Sequence, residues 1–421
     1  NICRIEISAD RFWDPLHSYL AFSVTAGAQT AGVDFGGGHG FIRRLRLEQA
    51  GSIIMDCNRY DRLLSAILLP CQSGNDSLAH RSITEAQTYG NNAGVGNVND
   101  PCPAANCTGG YLVATSPGTG QLAAASTTRF CIPLVGGLFS QDKLVPLQLL
   151  SSSPLTIEIE LAPAVDAMVS AGAGNTDYTF DDVRYIASLV DVSPDVDAQV
   201  RMVQEMSGGH IVLNSTDYTH FNGNIPANAQ GQQAINVPAR RKSLKSILFC
   251  GASQTGLNFT NFRSSFGGAM NVNSYHAKIG SINHPATPIE TQFDPATAPG
   301  GVDLNGRGEA LMELSKCFGT TGSVVGLGQL CRMNYATLPG LAANGQVAAR
   351  APFQFCPFGL DLEAFQRTAI ESGVNTADRS TPITLVLNVG TGQAEAMNID
   401  AYVSFDSLYY IDSSGIISVS H

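Results

Sequence analysis

Short segments in which apolar and polar residues alternate are the main feature of this sequence. In LTIEIEL, Leu155, Ile157, Ile159 and Leu161 alternate with Thr156, Glu158 and Glu160. This predicts a strand with its apolar side chains inward and its polar side chains outward. FIRRLRLEQ (41–49) and FDDVRYIASLVDV (180–192) alternate similarly, and we expect Arg44 and Arg46 to lie on a solvated face. RFCIPL (129–134) is a further predicted strand, so the pattern favours a protein built mainly of β-structure.

Helical periodicity appears in only a few places. One helix is predicted from Ile53 to Leu69, with Ser52 as its N-cap and Pro70 ending it. Its apolar stripe consists of Ile53, Cys57, Tyr60, Leu64, Ile67 and Leu68. A shorter helix is predicted near the middle of the second half, and two segments are candidates for it. One runs from Leu362 to Ile370 with Asp361 as N-cap and Gly373 at the end, and the other from Glu309 to Phe318, closed by Gly319.

Two other stretches are predicted to be loops. The glycine cluster Gly36, Gly37, Gly38 and Gly40 is expected to form a flexible turn, because no Lys-Ser/Thr pair follows it as in a phosphate-binding loop. Residues 72–128 are polar and rich in Gly, Asn, Ser and Ala. So long an irregular segment inside a compact domain indicates a large exposed loop or a tower at a surface.

The second half of the chain repeats patterns of the first. FDDVRYI at 180–186 returns as FDSLYYI at 405–411, and the pair Phe130-Cys131 returns as Phe355-Cys356. Both spacings are 225 residues, the difference between 180 and 405 and between 130 and 355. PLTIEIEL at Pro154 returns as PITLVLNV at Pro382. Three matches in the same order at nearly the same spacing indicate a tandem duplication.

The duplication predicts two β units of similar size. An all-β unit of this length with long loops fits an eight-stranded jelly roll, so we expect two tandem jelly rolls with short helices in their loops. The predicted boundary lies in the polar link 191–209, which gives a first unit at 1–195, including the loop 72–128, and a second at 196–421. The structural repeat positions are Phe130, Cys131, Phe180, Asp181, Tyr185, Phe355, Cys356, Phe405, Asp406 and Tyr410.

Charge limits the classes of partner. Charged residues make up 14% of the chain and the net charge is −11, so direct binding of nucleic acid is not expected from these residues. The first residue is Asn1 rather than methionine. We therefore expect the true start upstream, where a basic or membrane-contacting arm could lie. No apolar run is long enough to span a bilayer.

Catalytic and metal-binding patterns are not found. The ten cysteines include no CxxC pair, and most are expected to be buried free thiols of a protein assembled in a reducing compartment. A Cys102–Cys107 disulfide is a lesser alternative. The carboxylates of Asp181 and Asp182 would point to opposite faces of a strand and so would not share a proton. Because Asp181 recurs as Asp406, both are expected to be structural. We predict no enzyme activity, no metal site and no cofactor.

The segment 130–161, FCIPLVGGLFSQDKLVPLQLLSSSPLTIEIEL, resembles part of the first jelly roll of double-jelly-roll major capsid proteins, most closely those of virophages and polinton-like viruses. Those proteins share an Ile-Pro-Leu step, a Gly-Leu linker, a Pro-Leu step and an alternating strand. Segment 40–68 is similar to the family's early strand and the short helix after it. The resemblance covers residues 40–190, and the second half mainly through its final strands.

The resemblance implies a structural subunit of an icosahedral shell. It would form a homotrimer whose six jelly rolls make a pseudo-hexameric capsomer, in contact with neighbouring capsomers, penton proteins and minor capsid proteins. It would be assembled inside the host cell and located in the virion of a DNA virus. The resemblance does not decide whether that virion has an inner membrane. Two alternatives remain. The first is a carbohydrate-binding or cupin-like β-sandwich protein, a class that includes glycosidases. The second is the coat protein of a single-stranded RNA virus.

Overall fold

We describe the protein from a computed structural model of the 421-residue chain. The structure describes residues 1–27, 31–33, 36–72, 81, 83–85, 121–122, 125, 127–150, 153–170, 177–254, 264, 272–291, 308–321, 330, 356–363, 372–378, 381–390 and 396–421. Most of the predicted loop 72–128 and most of the predicted helix 362–370 lie outside these residues, as do Cys102, Cys107 and Phe355.

Eleven strands precede residue 191 among the described residues. They are β1 (Ile2–Ile7), β2 (Phe12–Ala26), β3 (Ala31–Val33), β4 (Ile42–Gln49), β5 (Ser52–Asn58), β6 (Gln121–Leu122), β7 (Thr127–Ile132), β8 (Val145–Pro146), β9 (Leu155–Leu161), β10 (Met168–Ser170) and β11 (Tyr178–Val190). They form sheets in the orders β1-β9-β4-β5, β11-β2-β7 and β10-β3-β6, with β8 attached to β2.

The strands after residue 209 form two further sheets. They are β12 (His210–Ile225), β13 (Gly231–Val237), β14 (Leu244–Ser253), β15 (Val272–Ile279), β16 (Ile282–Glu290), β17 (Phe358–Asp361), β18 (Ile383–Val389), β19 (Met397–Asp412) and β20 (Ile417–Ser420). Their orders are β12-β19-β14-β17, with β20 beside β19, and β13-β18-β15-β16. Every named strand pair is antiparallel and stays within its own half of the chain.

The helices among the described residues are few and short. They are α1 (Tyr60–Arg62), α2 (Leu69–Gln72), α3 (Ala164–Ala167), α4 (Pro194–Met206) and α5 (Gly308–Cys317), with a π-helical stretch at Leu63–Leu68 and 3-10 turns at Gly37–Phe41, Gly137–Ser140 and Leu147–Leu150. The predicted helix from Glu309 to Phe318 is confirmed as α5, and Gly319 follows it with a φ of 60°.

The two halves share one strand order, which is that of a jelly roll. The sheet β1-β9-β4-β5 corresponds to β13-β18-β15-β16, and β11-β2-β7 corresponds to β19-β14-β17. Each half therefore packs two antiparallel sheets face to face with the same connections. The prediction of an all-β double jelly roll is confirmed, while the boundary at 195/196 remains a prediction that falls inside α4.

Each sandwich has a similar aromatic centre. In the first, the rings of Phe22 and Phe130 stack at 5.4 Å, and Phe41 meets Phe130 edge to face. In the second, Phe249 and Phe358 stack at 5.2 Å, and Tyr275 meets both edge to face. Offset and edge-to-face aromatic pairs add to the free energy gained by burying the rings. The two sandwiches therefore have similar arrangements of aromatic rings in their cores.

The predicted helix from Ile53 to Leu69 is wrong in its first part. Residues 52–58 form β5, which pairs with β4 so that Leu45 faces Cys57. The helical region begins only after Arg59, whose left-handed φ of 51° separates it from the strand. Ile53 is more than half exposed, so it belongs to no buried stripe. Pro70 does not end the helix, because the helical backbone that begins at Tyr60 continues through it as far as Gln72.

The glycine cluster is not a flexible turn. Residues 37–41 form a buried 3-10 turn, and Gly38 N donates to Glu85 Oε2 at 3.1 Å. A Cβ on Gly36 would lie 1.8 Å from Ser65 Oγ. Gly36 is therefore needed for close packing of the turn on the helical segment that follows β5.

The polar face of β4 and β9 carries ion pairs and is partly exposed rather than fully solvated. Glu158 points outward but is only 7% exposed, because Arg4 and Arg46 both bind its carboxylate. Arg44 forms a two-bond pair with Asp56 on the neighbouring strand. The strand assignment of LTIEIEL is confirmed, and the expected exposure of its polar side is wrong for Glu158, while Thr156 and Glu160 are partly exposed.

The bridge between Leu244 and Val374 depends on Gly373. A Cβ on Gly373 would lie 2.3 Å from Leu244 O, a backbone atom, while Leu244 and Val374 exchange two backbone hydrogen bonds. We expect Gly373→Ala to lower the free energy of unfolding by about 1–3 kcal/mol, the usual range for overpacking. Chemical denaturation measures this. Gly308→Ala is the control, since nothing lies within 4 Å there. Equal effects of the two variants would contradict the prediction.

Candidate functional site

The described residues present one extensive buried polar region, and it lies where the two sandwiches meet. The hydrophobic core of the first sandwich continues into the second through eight buried residues, Leu213, Leu248, Cys250, Leu314, Tyr402, Tyr409, Ile411 and Ile417. We call this region the joint. It also includes α1, β5, the turn at Gly136–Ser140 and the facing parts of β12, β14 and β19.

Arg62 is the central side chain of the joint. It comes from α1 and is 1% exposed. Its Nε donates to Asp400 Oδ2 at 3.0 Å, and its terminal nitrogens donate to the carbonyl oxygens of Gly251 at 2.9 Å and Ser264 at 3.3 Å. A guanidinium buried with several acceptors in fixed geometry holds the second sandwich to the first.

Asp400 receives two cationic or polar partners. His220 Nε2 lies 2.9 Å from Asp400 Oδ1, while Arg62 binds the other carboxylate oxygen, Oδ2. Burial alone would raise the pKa of Asp400, but the hydrogen bond with His220 and the charge of Arg62 hold it below its ordinary value. The buried carboxylate is therefore ionised and paired, which makes it a structural partner of Arg62.

The start of α1 is attached to the second sandwich as well. Tyr402 Oη donates to Arg59 O at 2.8 Å, and Ser264 Oγ donates to Asp166 O at 2.7 Å. Asp61 is fully buried beside Arg59, and burial raises its pKa against the opposing charge of that arginine. The left-handed residue Arg59 thus places its own carbonyl and its neighbours in contact with the second half.

A second contact is made by the turn at Gly136 and Gly137. Ser215 Oγ donates to Gly137 O at 2.7 Å, and Gln141 Nε2 donates to Asn214 O at 2.9 Å. Both glycines have positive φ, and a Cβ on Gly137 would lie 2.8 Å from Tyr409 Oη. The Gly-Gly pair lets the backbone of the first sandwich approach β12 closely.

A buried carboxyl group, Asp217, lies beside this turn. It is 3% exposed on β12, and its Oδ1 accepts a hydrogen bond from Tyr218 N at 2.7 Å. Burial, with a smaller contribution from the charge of Asp56, raises the pKa of Asp217 to about 7, while the hydrogen bond from Tyr218 N and the charge of Arg241 act in the opposite direction. Near neutral pH this group is therefore divided between its neutral and charged forms.

The third contact uses the side-chain amide of Gln49. Its Nε2 donates to the carbonyl oxygens of Ser153 and Gly415, both at 2.8 Å, and its Oε1 accepts from Ile417 N at 2.7 Å. A buried amide that satisfies its donors and its acceptor in this way ties β4 to the turn before β20. The joint is thus held at three separate places.

The repeat positions lie in corresponding strands but do not form one site. Phe130 and Cys131 lie in β7; Phe180, Asp181 and Tyr185 lie in β11; Phe405, Asp406 and Tyr410 lie in β19; Cys356 precedes β17; and Phe355 is outside the described residues. The ring stacked on Phe249, as Phe130 is on Phe22, is Phe358. Asp406 accepts a hydrogen bond from Ser243 Oγ at 2.6 Å. The equivalence of these positions remains a prediction.

The buried cysteine thiols are not expected to be reactive. Cys57, Cys71 and Cys250 are buried free thiols, as expected, and burial raises the pKa of Cys250 to about 11. Such thiols stay protonated and are poor nucleophiles. Within the described ranges, no group of three metal-binding side chains is found, and no helix is long and apolar enough to cross a membrane.

Sequence reasoning did not identify Arg62, Asp217, Asp400 or Gln49. The only available signal was a charged residue within an apolar helical stretch, since Arg62 precedes Leu63 and Leu64 in NRYDRLLSAIL. Its main partner lies 338 residues away, which no local pattern reveals.

The chain is similar to known proteins in its structure but not in its sequence. No family model and no curated protein sequence match the chain. Solved structures do match. The VP54 protein of PBCV-1, fitted into a reconstruction of the virophage Sputnik, gives a TM-score of 0.56 at 11% identity over 100% of this chain and 92% of that chain.

Two further structures are similar over nearly the whole chain. The mavirus major capsid protein has a TM-score of 0.51 at 9% identity, covering 100% of this chain and 86% of its own. The Faustovirus major capsid protein has a TM-score of 0.53 at 8% identity, covering 97% and 87%. This chain therefore has the double-jelly-roll fold found in viral major capsid proteins.

Proposed function

We propose that this protein is the major capsid protein of an icosahedral virus and acts as a structural subunit rather than an enzyme. The observation that carries the proposal is the full-length match of both sandwiches, in one chain, to viral capsid proteins. The buried joint supports it, because Arg62, Gln49 and Gly137 hold the two sandwiches as one block. A shell subunit needs such a fixed arrangement to tile a surface.

The assembly we propose is a homotrimer whose six sandwiches form a pseudo-hexameric capsomer. Large apolar side chains on the single chain support contacts with other copies. On α4, Met202, Val203 and Met206 are all more than half exposed, while the polar Gln204 is buried and donates to Ile411 O. This helix therefore turns apolar residues outward, which a monomeric protein seldom does to this extent.

Other partners follow from the same assembly. Neighbouring capsomers, penton proteins and minor capsid proteins would contact the outer surfaces of the trimer, and the protein would be located in the virion. The net charge of −11 supports the absence of a direct contact between these residues and nucleic acid.

A carbohydrate-binding protein is the second candidate, and one observation weakens it. Trp13, the single tryptophan, is fully buried between Phe139 and Tyr185 and donates to Ser18 Oγ. It therefore cannot act as an exposed platform for a sugar ring.

Light scattering and electron microscopy of the purified protein test the proposal. We expect a particle of about three times the chain mass of 44.3 kDa and a pseudo-hexagonal outline in negative stain. Binding to a panel of oligosaccharides is the parallel assay for the second candidate. A folded monomer that persists at micromolar concentration, with no hexagonal particles, would argue against the capsid role.

A further inference from the structure

The helix α4 is held to the rest of the protein by one narrow face. Gln204 is buried and donates to Ile411 O, and Asp197 and Val200 on the same face are half-buried. Positions three, four and seven residues apart share one face of a helix. The remaining residues of α4 are exposed in the single chain, so the opposite face of the helix is available to a partner.

That opposite face carries an apolar stripe with a carboxylate at each end. Val196, Val203 and Met206 recur at helical spacing and are 41%, 56% and 81% exposed. Asp195 and Glu205 are also exposed, and neither forms an ion pair with a described residue. The helical rise places these two carboxylates about 15 Å apart. Two such faces would repel each other, so a basic and partly apolar surface suits this helix best.

One corner of the second sandwich has that character. Arg240, Lys242 and Lys278 are exposed, and within the described ranges none of them pairs with a carboxylate. Ile282 is 62% exposed, more than any other large apolar side chain described in the second half. We call Arg240, Lys242, Lys278 and Ile282 the basic corner.

Strand pairing brings the members of the basic corner to one end of the sheet β13-β18-β15-β16. Val237, at the end of β13, and Ile279, at the end of β15, both lie opposite Ile383. Ile282 lies opposite Ile279, and the connection with the two other basic residues follows Val237 directly. Two strand spacings separate β13 from β15, about 10 Å, so the corner and the stripe on α4 have similar dimensions.

α4 and the basic corner lie toward the same end of the second sandwich. β12 begins at His210, just after α4, and runs away from the helix to Ile225. The connection 226–230 is short, and β13 then returns toward the starting end. Copies that stand side by side around an axis along the strands therefore present both surfaces toward the same end of the ring.

We propose that α4 of one copy docks on the basic corner of a neighbouring copy, an inference that rests on the proposed capsomer. The apolar stripe would cover Ile282, and Glu205 would pair with Lys278. Apolar burial would supply most of the affinity, and the charges would fix the orientation. Each copy gives its helix to one neighbour and its corner to the other, and a heterologous contact of this kind closes into a ring.

Carbodiimide cross-linking of two co-expressed chains tests the contact directly. One chain carries Lys278→Arg, which keeps the charge but has no amine to couple. The other carries Asp195→Asn and Glu205→Gln, so neither chain alone can form a Glu205–Lys278 amide. We expect mass spectrometry to find this amide in particles that contain both chains, and not in particles made from either chain by itself.

The strength of association is the second readout. Met206→Ser is expected to weaken association by about tenfold or more in light scattering over a dilution series, because it removes the most exposed residue of the stripe. Met312→Ser is the matched control, an exposed methionine on α5, and should change nothing. Glu205→Lys should weaken association too, and adding Lys278→Glu in the same chain should restore it, which a folding defect would not allow.

The outcomes separate this contact from the capsid role. Particles with a hexagonal outline that give no Glu205–Lys278 amide would overturn the contact and leave the capsid role standing. Equal weakening by Met206→Ser and Met312→Ser, or a charge-reversed pair that does not restore association, would overturn it as well. A chain that stays monomeric and gives no amide would remove the proposed capsid role and this contact with it.

Discussion

Replacing Arg62 with methionine is expected to lower the free energy of unfolding by about 3–5 kcal/mol, the range seen when one partner of a buried ion pair is removed. Methionine has similar length and suits an apolar site, so the loss would come from the groups left behind. Asp400 would keep only His220, and the carbonyl oxygens of Gly251 and Ser264 would lose a donor. Chemical denaturation followed by tryptophan fluorescence reports on this directly, because Trp13 is buried in the first sandwich.

The matched control is Arg184→Met. Arg184 also pairs with an aspartate, Asp182, but its side chain is 61% exposed on β11. An exposed pair contributes little, so a change below about 1 kcal/mol is expected. Arg62→Lys should fall between the two, because a single ammonium keeps the charge but not the planar set of donors. If Arg62→Met costs no more than Arg184→Met, the joint does not depend on this pair.

Comparing Arg62→Met with Gly373→Ala distinguishes a loss of coupling at the joint from a loss of stability within one sandwich. A loss confined to the joint would let the two halves unfold in separate steps, whereas intact coupling gives one transition. We therefore expect Arg62→Met to broaden or split the denaturation curve, while Gly373→Ala, which acts inside the second sandwich, lowers the stability of that half. The number of transitions thus tells whether Arg62 couples two bodies or stabilises one.

Strands with one buried face were predictable from sequence because local pattern and tertiary environment agree. In β9, Leu155, Ile157 and Ile159 are fully buried, and the repeated strand β18 buries Ile383, Leu385 and Leu387. An alternating period of two leaves only one register that buries the apolar set. The duplicated strand order therefore followed from these segments, and with it the double jelly roll.

The helix predicted from Ile53 to Leu69 is wrong in its first part for a physical reason. Ile53, Cys57 and Tyr60 fit a helical stripe, yet residues 52–58 also complete a hairpin with β4 through Ala50 and Gly51, both at positive φ. Pairing along the edge of an existing sheet overrode the helical pattern, as tertiary context often does. The left-handed turn at Arg59, which separates strand from helix, has no signature in the sequence.

The joint could not be predicted because its contacts join distant parts of the chain. Gln49 and Ile417 are 368 residues apart, and both look unremarkable in their local segments. The exposure expected for Glu158 failed similarly, since Arg4 and Arg46 come from two other strands. Buried polar networks depend on the packing of complete sandwiches, which local periodicity does not encode.

Raising the pH from 5 to 8 is expected to destabilise the joint through Asp217, and Asp217→Asn should remove this effect. Burial sets the pKa of this carboxyl to about 7 in the folded protein, against an ordinary value of 3.8. The folded state therefore binds more protons than the unfolded state between these values, so stability falls as the pH rises through that window. A difference of about three pKa units corresponds to roughly 4 kcal/mol as an upper bound.

The variant should be more stable than the parent by about 2–4 kcal/mol at pH 8 and by much less at pH 5. Asparagine keeps the oxygen that accepts from Tyr218 N but cannot ionise beside Asp56. His421 titrates with the opposite sign, since burial lowers its pKa to about 4, so the difference between variant and parent is the quantity to measure.

Asp412→Asn is the control, because hydrogen bonds from Ile416 and Ser414 lower the pKa of that carboxyl, and its effect should be equal at both pH values. A stability difference for Asp217→Asn that does not change between pH 5 and pH 8 would mean that the group stays in one protonation state, and the joint would then not respond to pH through it.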